Sequence, residues 1–138
     1  MDLTATARGV FATDRYATAL TGIVIDNVGH RTSQCSLALS ASHRNAVGAA
    51  MGGAIFTLAD FAAAVAANSM ELENTTSELH WVSLDATIHY LSPALGGRLV
   101  AQCSALKHGR STALYQTTVS DPDSGRTVAV AETTMMRV

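Results

Sequence analysis

The chain has 138 residues, a formal net charge of −2 and no cluster of Lys and Arg, which argues against nucleic acid as a partner. This length suits a single domain, residues 1–138, with one ordinary hydrophobic core. Hydrophobic residues make up 48% of the chain and charged residues only 14%. This balance favours buried contacts between copies of the chain, and so a homo-oligomer.

The cysteines and the N-terminal segment predict a cytoplasmic protein. Cys35 and Cys103 form no CxxC or Cys/His spacing, so packed free thiols in a reducing compartment are favoured over a disulfide. Alanine, threonine and charged residues interrupt every apolar run near the N-terminus, and we expect no signal peptide. The longest apolar stretch, Ala54–Ala67, contains Thr57 and Asp60 and is too short to span a bilayer. We therefore expect no membrane partner.

The first elements in chain order are a short helix and two strands. Phe11–Leu20 has its large apolar residues at roughly helical spacing, which predicts a short helix. Gly22–Val28 is rich in β-branched residues, and Thr32–Ala41 alternates between apolar and polar residues, so each predicts a strand. Gly29 and His30 form the turn between them.

The next element is a long apolar helix. From Ala54 to about Leu72 the chain is rich in Ala, Leu, Phe and Val and contains no Pro or Gly. This composition predicts a helix of about five turns. Because the helix is apolar on nearly all sides, we expect it to be buried on nearly all sides.

Four further strands follow, separated by turns that contain Gly or Pro. They are Trp81–Leu91, Arg98–Lys107, Ser111–Ser120 and Arg126–Met136. Short links between consecutive strands imply antiparallel hairpins. A sheet with one apolar face needs a cover, and the long helix is the only suitable element. The sequence therefore predicts an α+β hotdog fold, in which a curved antiparallel sheet of about six strands wraps one long central helix.

Two motifs carry a family resemblance. The segment His43–Gly53, HRNAVGAAMGG, followed by Asp60 in the helix, resembles the PaaI-like (phenylacetate-pathway type) hotdog thioesterases. Their pattern is roughly HxNxxGxxHGG, with an acidic residue in the helix that follows. Val82–Asp85 and Tyr90–Ala94 resemble the family's third strand and its exit. The likeness extends over nearly the whole chain from about residue 17 onward.

The resemblance implies an acyl-CoA thioesterase with four catalytic residues. Asp60 is then the nucleophile or the general base that activates water, and both roles stay open. A carboxylate in an apolar helix needs a partner or a function in any case. The Gly52 amide, at the positive end of the helix dipole, is the oxyanion donor. Asn45 places the water or the thioester, and Ser83 supplies a helper hydroxyl.

One residue departs from the family pattern. Met51 stands where the family has its usual His, and Met can neither donate a hydrogen bond nor carry a proton. A non-catalytic protein that binds acyl-CoA or an aromatic ligand therefore remains an alternative. A hotdog enzyme of another class, such as an enoyl-CoA hydratase, is disfavoured because the sequence lacks the loop motif with an Asp and a His that the related hydratases use.

The residues expected to bind substrate are His43, Met51, Gly53, Lys107 and Arg110. Lys107 and Arg110 form a small basic turn, which is either a solvated hairpin or a contact for the phosphates of CoA. The remaining histidines are dispersed without ligand spacing, so we expect no metal. We also expect no cofactor, because CoA is part of the substrate.

The spacing of two site residues calls for a second copy of the chain. Gly52 and Asp60 are eight residues apart on one helix, which is about 12 Å along its axis. A nucleophile must lie within about 3.5 Å of the carbonyl carbon that it attacks. If both residues serve one reaction, they come from different subunits of a homodimer. The resemblance further implies a dimer of such dimers.

Overall fold

A computed structural model describes residues 2–74 and 78–138. The α-helices in these ranges are α1 (Leu3–Phe11), α2 (Gly52–Ala67) and α3 (Ser69–Glu73). The β-strands are β1 (Val24–Gly29), β2 (Thr32–Ala38), β3 (Trp81–Tyr90), β4 (Arg98–His108), β5 (Thr112–Asp121) and β6 (Arg126–Arg137). A π-helical turn spans Tyr16–Thr21, and a 3-10 turn spans Ala41–His43. The six predicted strands are present, with ends that differ from the predicted ones by three residues or fewer.

The strands form one antiparallel sheet in the order β1-β2-β4-β5-β6-β3. Short turns join β1 to β2, β4 to β5, and β5 to β6, as the turn residues predict. Between β2 and β3 the chain leaves the sheet to form α2, which packs across the sheet, mainly on β2, β4 and β5. The predicted hotdog fold is therefore confirmed.

The apolar residues of α2 form the centre of the core. They include Ile55, Leu58, Phe61 and Val65, which are all buried. The alanines between them are buried as well, and their small side chains let the helix lie close to the strands. Within the described residues, no helix is both long enough and apolar enough to cross a membrane.

One side of α2 remains open in the single chain. Gly53, Thr57, Asp60 and Ala64 recur at helical spacing and are only partly covered; we call this set the accessible strip. The sequence predicts burial on nearly all sides, and the accessible strip is the departure from that pattern. It places the carboxylate of Asp60 within reach of solvent.

The two edges of the sheet differ. Side chains of α1 bind the backbone of β1: Arg8 Nε donates to the Ile25 carbonyl at 2.8 Å, and the Val28 amide donates to Thr4 Oγ1 at 3.1 Å. At the opposite edge, β3 pairs only with β6 in the described chain. An open edge strand of this kind is a template for pairing with another strand.

The predicted helix Phe11–Leu20 is wrong, because α1 ends at Phe11 and a separate π-helical turn spans Tyr16–Thr21. α1 begins at Leu3, where the Asp2 carboxylate accepts a first-turn amide at 3.2 Å, and it ends at Phe11. The Phe11 ring packs edge-on against Phe61, with ring centroids 5.5 Å apart. Phe11 is therefore the core-facing end of one helix rather than the start of the next.

Asn68 ends α2 earlier than the predicted helix Ala54–Leu72. Its side chain is 1% exposed and makes four hydrogen bonds. The Nδ2 group donates to the carbonyls of Ala64 and Trp81, at 2.9 and 3.1 Å. The Oδ1 atom accepts from the amides of His80 and Trp81, each at 3.0 Å. These contacts with the start of β3 break the helix, so that α3 follows as a separate element.

Replacing Asn68 with alanine is expected to destabilise the fold by about 3 kcal/mol, because it leaves buried backbone groups without partners. The control is Asn27→Ala, since the Asn27 side chain is exposed on β1. This control should change the free energy of unfolding by less than about 0.5 kcal/mol. Urea denaturation measures both values, and equal effects would contradict the structural role of Asn68.

Candidate active site

Asp60 and Ser83 meet at the accessible strip. The Ser83 hydroxyl on β3 donates a hydrogen bond to Asp60 Oδ1 at 2.9 Å. Asp60 is half-buried and Ser83 is exposed. Since the hydroxyl has one proton, Ser83 orients one carboxylate oxygen and leaves Oδ2 for water or a substrate. The structure thus brings two of the four predicted catalytic residues into contact.

A β-bulge in β3 aims Ser83 at the helix. Ser83 pairs with Met135, but Asp85 pairs with Thr134, so one extra residue lies between the two pairs. The bulge changes which face successive side chains occupy. Strict alternation along the strand predicts one apolar face formed by Val82, Leu84, Ala86 and Ile88, and the bulge makes this prediction wrong at the beginning of the strand. There, Val82 and Leu84 are 44% and 56% exposed.

The first turn of α2 offers free backbone donors. Met51 occupies the N-cap position without a side-chain capping bond, and its carbonyl accepts from the amides of Ala54 and Ile55. Among the described residues, neither the Gly52 nor the Gly53 amide has an acceptor. Amides at the start of a helix lie at the positive end of its dipole. They can therefore stabilise an oxyanion.

Asn45 closes the loop that leads into α2. Its Oδ1 atom accepts from the amides of Val47 and Ala49, each at 3.1 Å. Because the oxygen is engaged in the turn, the NH₂ group is the part of the side chain that can bind a ligand. Asn45 and Gly52 line one cleft of about 420 Å³. The structure thus brings this second pair of predicted residues to one place.

Tyr90 is a residue of the same cleft that the motif did not indicate. Its hydroxyl donates to the Gly52 carbonyl at 3.0 Å, across 38 positions of sequence. The only signal in the sequence was its place at the exit of β3, directly before Leu91–Ala94. Nothing in that spacing shows that its ring reaches the helix start.

His43 and Met51 border a second cleft beside the helix start, of about 370 Å³, together with Gly53. Both nitrogens of His43 bind the chain itself: Nδ1 accepts from the Ser40 amide at 3.0 Å, and Nε2 donates to the Thr21 carbonyl at 2.7 Å. His43 therefore ties the loop to the π-helical turn. Met51 is 52% exposed and faces this cleft without a polar partner.

Lys107 and Arg110 lie apart from the other site residues. Both are exposed at the β4–β5 hairpin. With Leu114 and Thr134 they line a third cleft of about 410 Å³, which shares no residue with the two clefts at the helix start. Within one chain, the structure does not bring this basic pair to Gly52 or to the Asp60–Ser83 pair.

Two groups of site residues therefore lie beside different parts of α2. Asn45, Gly52 and Tyr90 gather at its start, and Asp60 and Ser83 meet further along. The eight residues from Gly52 to Asp60 correspond to about 12 Å of helix rise. Oxyanion donors must lie about 3 Å from the carbonyl oxygen, and the nucleophile equally near its carbon. An Asp side chain is too short to span this separation along the helix, so the two groups cannot serve one carbonyl within one chain.

The cysteines offer no reactive nucleophile. Both Cys35 and Cys103 are free and buried. Burial raises the pKa of Cys35 to about 12 and that of Cys103 to about 11, so both remain thiols at neutral pH. Residues 2–74 and 78–138 contain no group of three or more His, Cys, Asp or Glu side chains placed to hold a metal ion.

The chain belongs to the thioesterase superfamily. Residues 47–134, the greater part of the chain, match the model of that family. This range contains Gly52, Asp60, Ser83 and Tyr90. The predicted thioesterase family is therefore confirmed.

Individual relatives are similar over different lengths. The E. coli PaaI protein from the phenylacetic acid degradation operon is 25% identical, with a TM-score of 0.81 over 99% of this chain and 96% of that one. A thioesterase family protein from Silicibacter pomeroyi, 21% identical, shares the fold with a TM-score of 0.85 over 99% and 98% of the two chains. Human acyl-coenzyme A thioesterase 13 is 31% identical over 96 residues, which cover 69% of this chain and 65% of that protein. The chain thus matches just under two thirds of the length of the human relative.

Met51→His is expected to fold normally and to change the free energy of unfolding by less than about 1 kcal/mol, because the side chain is half-exposed. The control is Leu58→His on the same helix. Leu58 is 0% exposed, and a buried imidazole should cost about 3 kcal/mol or more. Thermal unfolding compares the two variants. If Met51→His is as unstable as Leu58→His, then Met51 is a core residue of the assembled protein.

Proposed function

We propose that the protein is an acyl-CoA thioesterase in which each active site is built from two copies of the chain. The observation that carries this proposal is the separation, on one rigid helix, of the Asp60–Ser83 pair from the free Gly52 amide. A two-fold axis between neighbouring α2 helices would bring the Gly52 amide of one copy to the Asp60 carboxylate of the other. Membership of the thioesterase superfamily supports hydrolysis as the reaction.

Each site residue has a separate proposed role in hydrolysis. The Gly52 amide stabilises the negative charge that develops on the thioester oxygen in the tetrahedral intermediate. Asp60 either attacks the carbonyl carbon or takes a proton from the attacking water. The Ser83 hydroxyl orients Asp60, and the Asn45 NH₂ group orients the thioester or the water. Collapse of the intermediate breaks the C–S bond, and the free acid and the CoA thiol leave.

The open edge of the sheet supports association through β3. Val82 and Leu84 are large apolar side chains that remain exposed on this strand. Antiparallel pairing of β3 with the same strand of a second copy would cover part of them and continue the sheet across the dimer. Ser83 lies on this strand, so the pairing would also bring both Asp60–Ser83 pairs towards the two-fold axis. A tetramer of two such dimers is the assembly that the family resemblance implies.

The substrate is proposed from the clefts and from one relative. Similarity to human acyl-coenzyme A thioesterase 13 supports coenzyme A as the leaving group. We assign the cleft lined by His43, Met51 and Gly53 to the acyl or aryl-acyl group, because Met51 gives it an apolar side chain. The exposed cations Lys107 and Arg110 are assigned to the CoA phosphates of a shared site. CoA is then part of the substrate, and the reaction uses no further cofactor.

Met51 favours a second candidate function, a non-catalytic protein that binds acyl-CoA or an aromatic ligand. A thioether cannot replace the hydrogen bonds or the proton of the family's histidine. This candidate predicts binding of acyl-CoA without release of the CoA thiol. The thioesterase proposal predicts release that depends on Asp60.

Asp60→Asn is expected to lower turnover by at least about a hundredfold, because an amide neither attacks the thioester nor accepts a proton from water. The variant should still fold and bind CoA, since asparagine keeps the shape and can accept the Ser83 hydrogen bond. The matched control is Asp85→Asn, an exposed carboxylate on the same strand as Ser83, which should keep normal turnover. Thiol release from a panel of acyl-CoAs measures all three proteins.

Two results of this assay would contradict the proposal. Near-normal turnover by Asp60→Asn would exclude Asp60 as the catalytic carboxylate. A wild-type protein that binds members of the panel but releases no thiol would favour the non-catalytic binder instead.

The shared site predicts that two inactive variants restore each other. When Asp60→Ala and Asn45→Ala are unfolded and refolded together, about half of the dimers are mixed, and each mixed dimer contains one site with both residues intact. The mixture should therefore recover roughly a quarter of wild-type activity by this two-fold counting. Each variant refolded alone is the control and should remain inactive. An inactive mixture in which mass spectrometry detects mixed dimers would show that Asn45 and Asp60 act within one chain.

A further inference from the structure

Tyr90 contacts Gly52, the first residue of α2, through both its hydroxyl and its ring. Its hydroxyl donates to the Gly52 carbonyl at 3.0 Å. A Cβ atom placed on Gly52 would lie 3.3 Å from the Tyr90 Cζ atom and 3.3 Å from its hydroxyl oxygen. A Cβ atom at position 52 would therefore require the Tyr90 ring to shift by a few tenths of an ångström. Glycine at position 52 thus leaves the Tyr90 ring and its hydrogen bond undisturbed.

The start of α2 needs an external restraint. Two consecutive glycines are each about 1 kcal/mol less favourable than alanine in a helix, and Met51 provides no side-chain cap. An ordinary N-cap residue, such as Ser or Asp, would bind the amide of the second or third helical residue. At position 51, such a residue would accept a hydrogen bond from the Gly53 or the Ala54 amide and so engage that donor. Tyr90 binds a carbonyl instead, so the stabilising contact uses none of the free donors.

We propose that Tyr90 is a positioning residue for the oxyanion site, an inference that rests on the proposed function. The Gly52 carbonyl and the Gly53 N–H belong to one planar peptide, so fixing the carbonyl also fixes the direction of that N–H. A hydrogen bond to the carbonyl also polarises the peptide and strengthens its N–H as a donor. A carbonyl has two lone pairs, so it can accept the hydroxyl together with a helical amide. Tyr90 thus orients the Gly53 N–H directly and, by fixing the position of Gly52, also holds the neighbouring Gly52 N–H that is the proposed oxyanion donor, while both amides stay open to the substrate.

Tyr90→Phe keeps the ring and removes only the hydroxyl. We expect kcat to fall about tenfold, with KM within about twofold, because the loss concerns charge that develops in the transition state. The matched control is Tyr115→Phe, which removes a hydroxyl bonded to His108 Nδ1 at 2.7 Å. This control should lower the melting temperature but leave kcat unchanged.

A double variant tests whether Tyr90 acts through Gly52. Gly52→Ala places a methyl group 3.3 Å from the Tyr90 Cζ atom and hydroxyl oxygen, so the ring must shift and the same hydrogen bond should weaken. If so, Gly52→Ala combined with Tyr90→Phe should be no slower than Gly52→Ala alone, whereas independent roles would multiply the two losses. Multiplied losses, or an unchanged kcat for Tyr90→Phe in an active protein, would overturn the positioning role.

A measurement without turnover separates this inference from the proposed function. The amides of Ala54 and Ile55 donate to the Met51 carbonyl in the first helical turn. Their hydrogen exchange should be at least about threefold faster in Tyr90→Phe than in the wild type or in Tyr115→Phe. If the wild type hydrolyses no acyl-CoA, the proposed function fails, and the exchange rates still decide whether Tyr90 restrains the helix start. Unchanged exchange would refute that restraint.

Discussion

The rigidity of α2 is the constraint on which the rest of the structure depends. A helix keeps its own first-turn amides at a fixed distance from every side chain further along, and no rotamer of Asp60 changes the separation of about 12 Å. The same helix carries both halves of the candidate chemistry, the free amides of Gly52 and Gly53 and the carboxylate that Ser83 orients. The proposed chemistry therefore requires a second copy of the chain.

Most of the fold could be predicted from the sequence because its signals are local. Strands rich in β-branched residues end at turn residues such as Gly109 and Pro122, and the alanine-rich run marks the central helix. The errors arose where distant contacts override local preference. Asn68 ends α2 because its side chain binds the start of β3, and Phe11 belongs to the end of α1, where its ring packs against Phe61. Neither partner is near in sequence.

The same contrast between local sequence signals and contacts of distant residues applies to the candidate site. Asn45, Gly52 and Asp60 could be named from one continuous motif, since their spacing reflects a single loop and helix. The orientation of Ser83 depends on a β-bulge, and a bulge comes from the pairing of β3 with β6 rather than from the alternation within β3. The contact of Tyr90 with Gly52 joins the end of a strand to the start of a helix. Only the folded chain brings such pairs together.

The unequal edges of the sheet limit how far edge-to-edge pairing can proceed. Arg8 and Thr4 of α1 bind two backbone groups of β1, so in the described part of the chain the β1 edge is partly occupied, whereas β3 pairs only with β6. In the proposed dimer, two copies joined at β3 would form one sheet whose end strands, both β1, are partly covered by α1. A chain with two free edges could add copies without end, as a growing fibril does. In the proposed dimer, α1 would therefore hinder further strand pairing at the outer edges of the sheet, where such pairing leads to aggregation.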